Sequence, residues 1–561
     1  MKGPRGKEGK SPTNAPAHRP TVLATQGMVV TPHYLASAAG LRVLRAGGNA
    51  IDAVIAAAAV CSVVYPHMCS IGGDNFWLIY DAKGRTVRAL NGSGRSGERC
   101  TIDLYTRMGN ANVIPSRGFL AANTVPGAVD GWATAHEYGR WSLGTKVLWS
   151  SIFEEAIEYA EAGYPVTPSQ AVWTARNTAD ESDPQRGLQR WEGFRRTYLK
   201  PDGRPYPPGE VMKQPDLART LKSIAFGGGR FFYEGDITRR IVRYLDRHGG
   251  VLTDRDFYEH HADWVDPIRV DYRGYTVHGF PPNTQGMAAL LILSILSHFD
   301  LQKVGEGTTD YYHLQVEATK LAFADRDRWV TDPTCIRAPL DRLLSRRYTE
   351  DRARMINMTR SVARYEPGLM KGDTVYIGAV DAAGNGVSML QSIYFDFGSG
   401  IVAGDTGVLL QNRGSFFSLD PTHVNHLAPR KRTFHTLIPA MLLKDDRLFL
   451  VYGTMGGEGQ PQTQSALVSR IVDFGFGLQE SIEAPRWLYG RTWGMTATDL
   501  CLEARVPEPV VEGLRHRGHP VRVVGAWDDV MGHAQAILIH PETGVRHGGA
   551  DPRGDGQALG Y

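Results

Sequence analysis

The stretch from Ala50 to Val64 carries one charge, Asp52, and is otherwise small or apolar on nearly every side of a helix. Such a helix offers no face to water, so other elements must cover its whole circumference. It is also shorter than the ~20 residues a membrane-spanning helix needs. It therefore reads as a core helix, with Asn49 placed to cap its start. Upstream, small and apolar residues recur at helical spacing from Leu35 to Ala46, and Gly47-Gly48 supplies a stop. Downstream, Pro66-His67 and Ile71-Gly72-Gly73-Asp74 form a turn, and Asn75 to Asp81 is aromatic and β-branched enough for a buried strand. Helix, glycine-rich turn and buried strand together predict a layered build.

The remaining composition narrows the function. At 561 residues, 42% apolar and 22% charged, the chain has a sizeable core to bury, as one large or two intimate domains. A formal charge of +3 generates no field suited to nucleic acid or a membrane surface, which leaves small-molecule chemistry. The five cysteines (Cys61, Cys69, Cys100, Cys335, Cys501) are scattered, without a CxxC pair or a histidine at metal-ligand spacing, and read as reduced thiols. No metal is expected. Residues 1–21 read as a disordered leader with no apolar signal region, so a cytoplasmic, soluble protein is expected. Residues 130–360 read as mostly helical, with patterns at Leu217 to Ala225 and Tyr311 to Val330. Residues 361–373 read as a polar, exposed linker.

After that linker, Thr374 to Asp381 reads as a strand, Ala382 to Asn385 as a turn, and Gly386 to Tyr394 as the returning strand. Antiparallel pairing about this turn puts Thr374 opposite Ser392 or Ile393, with Cβ atoms ~5 Å apart. Thr–Ser pairs across strands are common, so the hairpin alone does not imply catalysis.

Motifs elsewhere supply the context: Met28-Val-Val-Thr-Pro-His-Tyr-Leu-Ala-Ser, Leu44-Arg-Ala-Gly-Gly-Asn-Ala-Ile-Asp-Ala, Val125-Pro-Gly-Ala-Val-Asp-Gly, Glu317-Ala-Thr-Lys-Leu-Ala-Phe-Ala-Asp-Arg and Gly398-Ser-Gly-Ile-Val. In this order, from about residue 27 to Asp551-Pro-Arg-Gly-Asp-Gly, they resemble the gamma-glutamyltransferase family of N-terminal nucleophile hydrolases. The resemblance implies an α+β fold, a four-layer αββα sandwich. It implies a proenzyme cut between Asp373 and Thr374 into a large subunit, 22–373 after the leader, and a small subunit, 374–561, that stay associated. It allows a homodimer of these processed pairs. No organic cofactor is implied.

In chemical terms a threonine hydroxyl is a weak nucleophile near neutral pH, whereas a freed α-amine, with an unperturbed pKa of ~8, can serve as its base. Self-cleavage would create that base on Thr374. Ser392 falls where the family has a second threonine assisting the nucleophile. Gly456-Gly457 matches the glycine pair whose N–H groups form the oxyanion hole, each such donor contributing ~3 kcal/mol. His435-Thr436 occupies the place of a Ser-Ser pocket pair.

The pocket departs from gamma-glutamyl transferases proper. Asn91-Gly-Ser-Gly-Arg-Ser-Gly puts Ser93 where the family has a carboxylate-binding arginine, with Arg95 two residues on. Gln411-Asn-Arg-Gly-Ser-Phe puts Arg413 and Phe416 where the family holds the substrate ammonium with Gln and Asp. An arginine ~4 Å from an ammonium is repelled by roughly 4 kcal/mol at an effective dielectric of about 20. A guanidinium suits a carboxylate instead. With Gln391-Ser-Ile-Tyr394, Phe397-Gly-Ser-Gly and Phe434-His-Thr, the pattern is similar to the oxamate amidohydrolase branch. The expected reaction is oxamate to oxalate and ammonia, with Arg413, His435, Thr436, Tyr394 and Arg95 as substrate-binding candidates. The rivals are a glutathione hydrolase or transferase, a cephalosporin or glutaryl acylase, and an inactive scaffold or solute-binding copy of the fold.

Overall fold

The computed structural model describes residues 19–362, 373–490 and 499–561. Helix α1 (Tyr34–Arg45) leads through Gly47, at φ 89°, into α2 (Ala50–Val64). Asn49 caps α2 as expected. Its side chain accepts from the N–H of Ile51 and Asp52, and the Asp52 carboxylate accepts the Asn49 N–H in return. Every residue of α2 is buried. The other helices that matter are α3 (Ala128–Tyr138), α4 (Gly286–Leu296), α5 (Thr309–Trp329), α6 (Gly459–Val472) and α7 (Leu478–Glu483).

Fourteen strands form two seven-stranded sheets, antiparallel throughout. They are β1 (Val22–Ala24), β2 (Met28–Thr31), β3 (Asp74–Asp81), β4 (Thr86–Gly92), β5 (Asp263–Val265), β6 (Ile268–Tyr272), β7 (Tyr275–Gly279), β8 (Asp373–Val380), β9 (Gly386–Tyr394), β10 (Ala440–Lys444), β11 (Arg447–Thr454), β12 (Ala534–Ile539), β13 (Arg546–Ala550) and β14 (Gln557–Gly560). The first sheet runs β14-β2-β8-β9-β3-β4-β5 and the second β1-β13-β12-β11-β10-β7-β6. The two sheets face one another through β8, β9, β11 and β12. Apolar side chains such as Phe76, Tyr376, Leu390, Met441 and Val451 fill the space between them. Helices α1, α2 and α3 cover the outer face of the first sheet, and α4, α6 and α7 that of the second. This is the αββα sandwich, and α2 is apolar all round because it lies inside its own helical layer.

Three expectations need correction. Of the leader expected over 1–21, residues 1–18 lie outside the described residues, and Arg19 is already fixed: its N–H donates to Glu483 at 3.0 Å and its guanidinium to the Gly556 carbonyl at 2.7 Å. Of the linker expected over 361–373, Asp373 already belongs to β8, while 363–372 lie outside the described residues. The middle region, largely helical, also supplies β5, β6 and β7. Arg273 (φ 55°) and Gly274 (φ 79°) turn the β6–β7 hairpin, a signal legible in Tyr272-Arg-Gly-Tyr. Among the described residues no helix is long and apolar enough to cross a membrane. The five cysteines are free thiols.

Candidate active site

Three neighbouring strands bring three polar side chains to one end of the first sheet. The β8–β9 register pairs Asp373 with Tyr394 and Val375 with Gln391, so Thr374 faces Ser392-Ile393 across a bulge. Ser392 in turn pairs with Asp74 on β3. A Cβ on Gly73 would lie 2.2 Å from the Ser392 carbonyl oxygen, so only glycine lets the chain turn into Asp74 this close to β9. The second sheet contributes the segments entering β10 and leaving β11, which carry His435-Thr436 and Gly456-Gly457.

Thr374 is buried, and Gln460 in the first turn of α6 donates to its hydroxyl at 3.4 Å. The Gln460 side-chain oxygen, Oε1, accepts from the Ile438 N–H at 3.2 Å, tying Thr374 to the 435–438 segment. Ser392 Oγ accepts from the Tyr394 N–H at 2.8 Å and from Arg413 Nη2 at 3.2 Å. With both lone pairs engaged, that hydroxyl offers its proton to its surroundings.

Arg413 has no exposed surface. Nη1 donates to Thr436 Oγ1 at 3.3 Å, and Nε has no partner. The guanidinium carbon lies 4.3 Å from the Tyr394 ring centre and 5.5 Å from that of Phe416. Tyr394 reaches this stacking position from a left-handed backbone, φ 81°, that a bulky residue adopts only under constraint. Among the described residues no carboxylate lies within ion-pair distance of Arg413, and burial lowers its pKa to about 10.

Asp74 stands behind this arginine. Its Oδ1 accepts from Gly94 N–H at 2.9 Å, Gly127 N–H at 3.1 Å and Gln411 Nε2 at 2.9 Å, while Oδ2 faces His435 Nε2 at 3.3 Å. Burial pushes its pKa up to about 6, against the pull of those donors and of Arg413. His435 is held well below its ordinary range by burial and by the Arg413 charge, and its Nδ1 has no partner.

Gly456 (φ 119°) and Gly457 (φ 53°) link β11 to α6 in a conformation that favours glycine. The Gly456 carbonyl accepts from the Gly459 N–H at 2.8 Å. The Gly457 N–H shares its peptide plane and so points the opposite way, free of the helix start. Gln285 Nε2 donates to the carbonyls of Gly457 and Thr436, both at 2.9 Å, locking the two segments together.

Thr374, Ser392, Tyr394, Arg413, His435 and Thr436 thus lie in one connected network, with the glycine pair pinned beside it. Arg95 stands apart. It pairs with Asp263 on β5 at 3.0 Å and is one-third exposed, and no contact joins it to Ser392, Arg413 or His435. Sequence reasoning passed over Asp74, Gln285 and Gln460. Their only local signals were positional: Asp74 closes a Gly-Gly turn, and Gln460 follows the glycine pair.

Known proteins resemble this chain over nearly its whole length. The family model described as gamma-glutamyltranspeptidase matches residues 36–561. The glutathione hydrolase-like YwrD proenzyme of Bacillus subtilis is 46% identical over 96% of this chain and 99% of its own length. The oxamate amidohydrolase proenzyme of Klebsiella pneumoniae is 42% identical over 96% and 99%. The crystal structure of cephalosporin acylase from Bacillus halodurans superimposes with a TM-score of 0.89 at 38% identity, covering 100% of this chain and 99% of that one.

Proposed function

This chain belongs to the gamma-glutamyltranspeptidase family, and from that premise we propose that it is a self-processing amidohydrolase for a small carboxylate-bearing amide, oxamate first. Cleavage between Asp373 and Thr374 frees the α-amine of Thr374. That amine takes the proton of Thr374 Oγ1 as the oxygen attacks the amide carbon, and Ser392 orients the hydroxyl. The N–H groups of Gly456 and Gly457 receive the oxyanion, a preorganised contribution of ~3 kcal/mol per donor. As the tetrahedral centre collapses, the C–N bond breaks, and the proton held by the amine leaves with ammonia. Water then hydrolyses the Thr374 ester, releasing oxalate. The fragments 1–373 and 374–561 stay together because each sheet interleaves strands from both.

One observation carries the choice of substrate: a wholly buried arginine with an unpartnered Nε, no carboxylate within ion-pair distance among the described residues, and a bond to the Ser392 hydroxyl opposite Thr374. The nearby Asp74 carboxylate spends its oxygens on Gly94, Gly127, Gln411 and His435 and forms no ion pair with Arg413, so an incoming carboxylate would be the first to bond its guanidinium directly. The glutathione hydrolase reading lacks such support, since the same guanidinium would repel the α-ammonium of a γ-glutamyl group.

Two measurements test the proposal. Mass spectrometry should find fragments 1–373 and 374–561, and the protein should release ammonia from oxamate far faster than it releases glutamate from γ-glutamyl-p-nitroanilide. Intact, active single chain would remove Thr374 from its role. Preference for the γ-glutamyl compound would overturn the substrate while leaving the nucleophile.

A further inference from the structure

Around Arg413 the uncut chain is in charge balance before any substrate arrives. Arg413 contributes one positive charge, Asp74 one negative, and His435 is neutral. All three have essentially no exposed surface. A substrate carboxylate on Arg413 would leave this site with a net negative charge away from water, an arrangement that folded proteins avoid by neutralising a group. We infer that the Asp74–His435 pair takes up one proton when a substrate carboxylate docks on Arg413, so that binding the anion and discharging Asp74 are a single event. The inference rests on the reading of Arg413 given above.

The geometry says where that proton goes. Oδ1 of Asp74 already accepts three N–H groups, so the proton belongs on Oδ2, the oxygen facing His435 Nε2. A protonated Oδ2 donates to Nε2, which requires the neutral imidazole to carry its own hydrogen on Nδ1. The unpartnered Nδ1 then changes from acceptor to donor. Because the two groups share one hydrogen bond, the proton is a property of the pair.

The surroundings favour uptake. Titratable groups facing Asp74 are Arg413, His435 and Tyr233, whose phenol burial keeps neutral. The remaining contacts come from neutral N–H donors. Burial already holds the Asp74 proton up to about pH 6, and Arg413 is the charged group working against it. Once the guanidinium is shared with a second anion, that opposition weakens and the proton is held at higher pH.

The test is calorimetry on the processed enzyme with pyruvate, which has the shape and charge of oxamate but a methyl group in place of the scissile nitrogen. Titrations at about pH 7.5 in phosphate and in Tris, whose ionisation enthalpies differ, give the protons exchanged. Wild type should take up about one proton per pyruvate, and its Kd should rise about tenfold per pH unit above neutrality. Asp74→Asn should bind with no proton uptake, with a pH-independent Kd, and more tightly than wild type at about pH 8. Wild-type binding without uptake overturns the inference and leaves the substrate reading standing, as does unchanged uptake in Asp74→Asn. If neither pyruvate nor oxamate binds, both fail. The same titrations on uncut Thr374→Ala, which has no free α-amine at this site, decide the matter even if Asp74→Asn does not process: uptake there supports the Asp74–His435 pair, and its loss there overturns the inference.

Discussion

Two arginines in this molecule, Arg326 and Arg413, are equally inaccessible to water and have opposite surroundings. Arg326 on α5 meets Asp327 at 2.8 Å, Glu458 at 3.1 Å and the Gln285 side-chain oxygen at 3.0 Å, and lies 3.8 Å over the Phe323 ring. Although burial opposes it, these carboxylates raise its pKa. Arg413 has two hydroxyls and two aromatic faces, and burial wins. The first arginine is complete. Through Gln285 it fixes the backbone of Thr436 and Gly457, so it builds the site without entering it. The second forms no ion pair with a carboxylate among the described residues. Burial alone does not separate a structural charge from a functional one; the presence of a counter-charge does.

The comparison can be broken in four ways. Thr374→Ala leaves both arginines in place and removes the chemistry. The chain should remain in one piece, and ammonia release from oxamate should fall on the order of a millionfold, read by mass spectrometry and an ammonia assay. Arg326→Met strands Glu458 in the core, so stability should drop by about 3–5 kcal/mol in denaturant unfolding. An unchanged unfolding midpoint would show that Arg326 is no more structural than Arg413.

Asp74→Asn comes next. The folded Asp74 carboxyl titrates at about 6 against an ordinary 3.8, so the folded state holds a proton that the unfolded chain has released. A raised carboxyl pKa makes folding lose stability as pH rises from about 4 to 6, by roughly 3 kcal/mol in total. The variant should lose that decline. Matching wild-type and variant curves of stability against pH would remove Asp74 from the argument.

Arg413→Gln should cost less stability than Arg326→Met, because an Asp74 carboxyl that loses the guanidinium can take up a proton, and should raise KM for oxamate by about 10- to 150-fold, the equivalent of ~1.5–3 kcal/mol for a charge-assisted hydrogen bond. A stability loss as large as that of Arg326→Met would erase the distinction between them.

Much of this was legible in the chain. The all-apolar stretch from Ala50 to Val64 demanded a covering layer, Asn49 and the glycines marked its ends, and the turn at Ala382 to Asn385 fixed the register that sets Thr374 against Ser392-Ile393. These are local matters, since capping, turn geometry and hydrophobic periodicity act over a few residues. The glycine pair and His435-Thr436 were legible only through the order of motifs along the chain.

The sequence by itself determined the layered fold and the Thr374 hairpin, because each depends on neighbours close along the chain. It could not show that Asp74, 361 residues before His435, ends 3.3 Å from it, or that Gln460 reaches Thr374. Nor could it distinguish Arg95, paired with Asp263, from Arg413, which has no carboxylate partner among the described residues. Those facts depend on which strands become neighbours and on which charges are left without water. Charge compensation is a property of the volume around a group, and only the tertiary structure fills that volume.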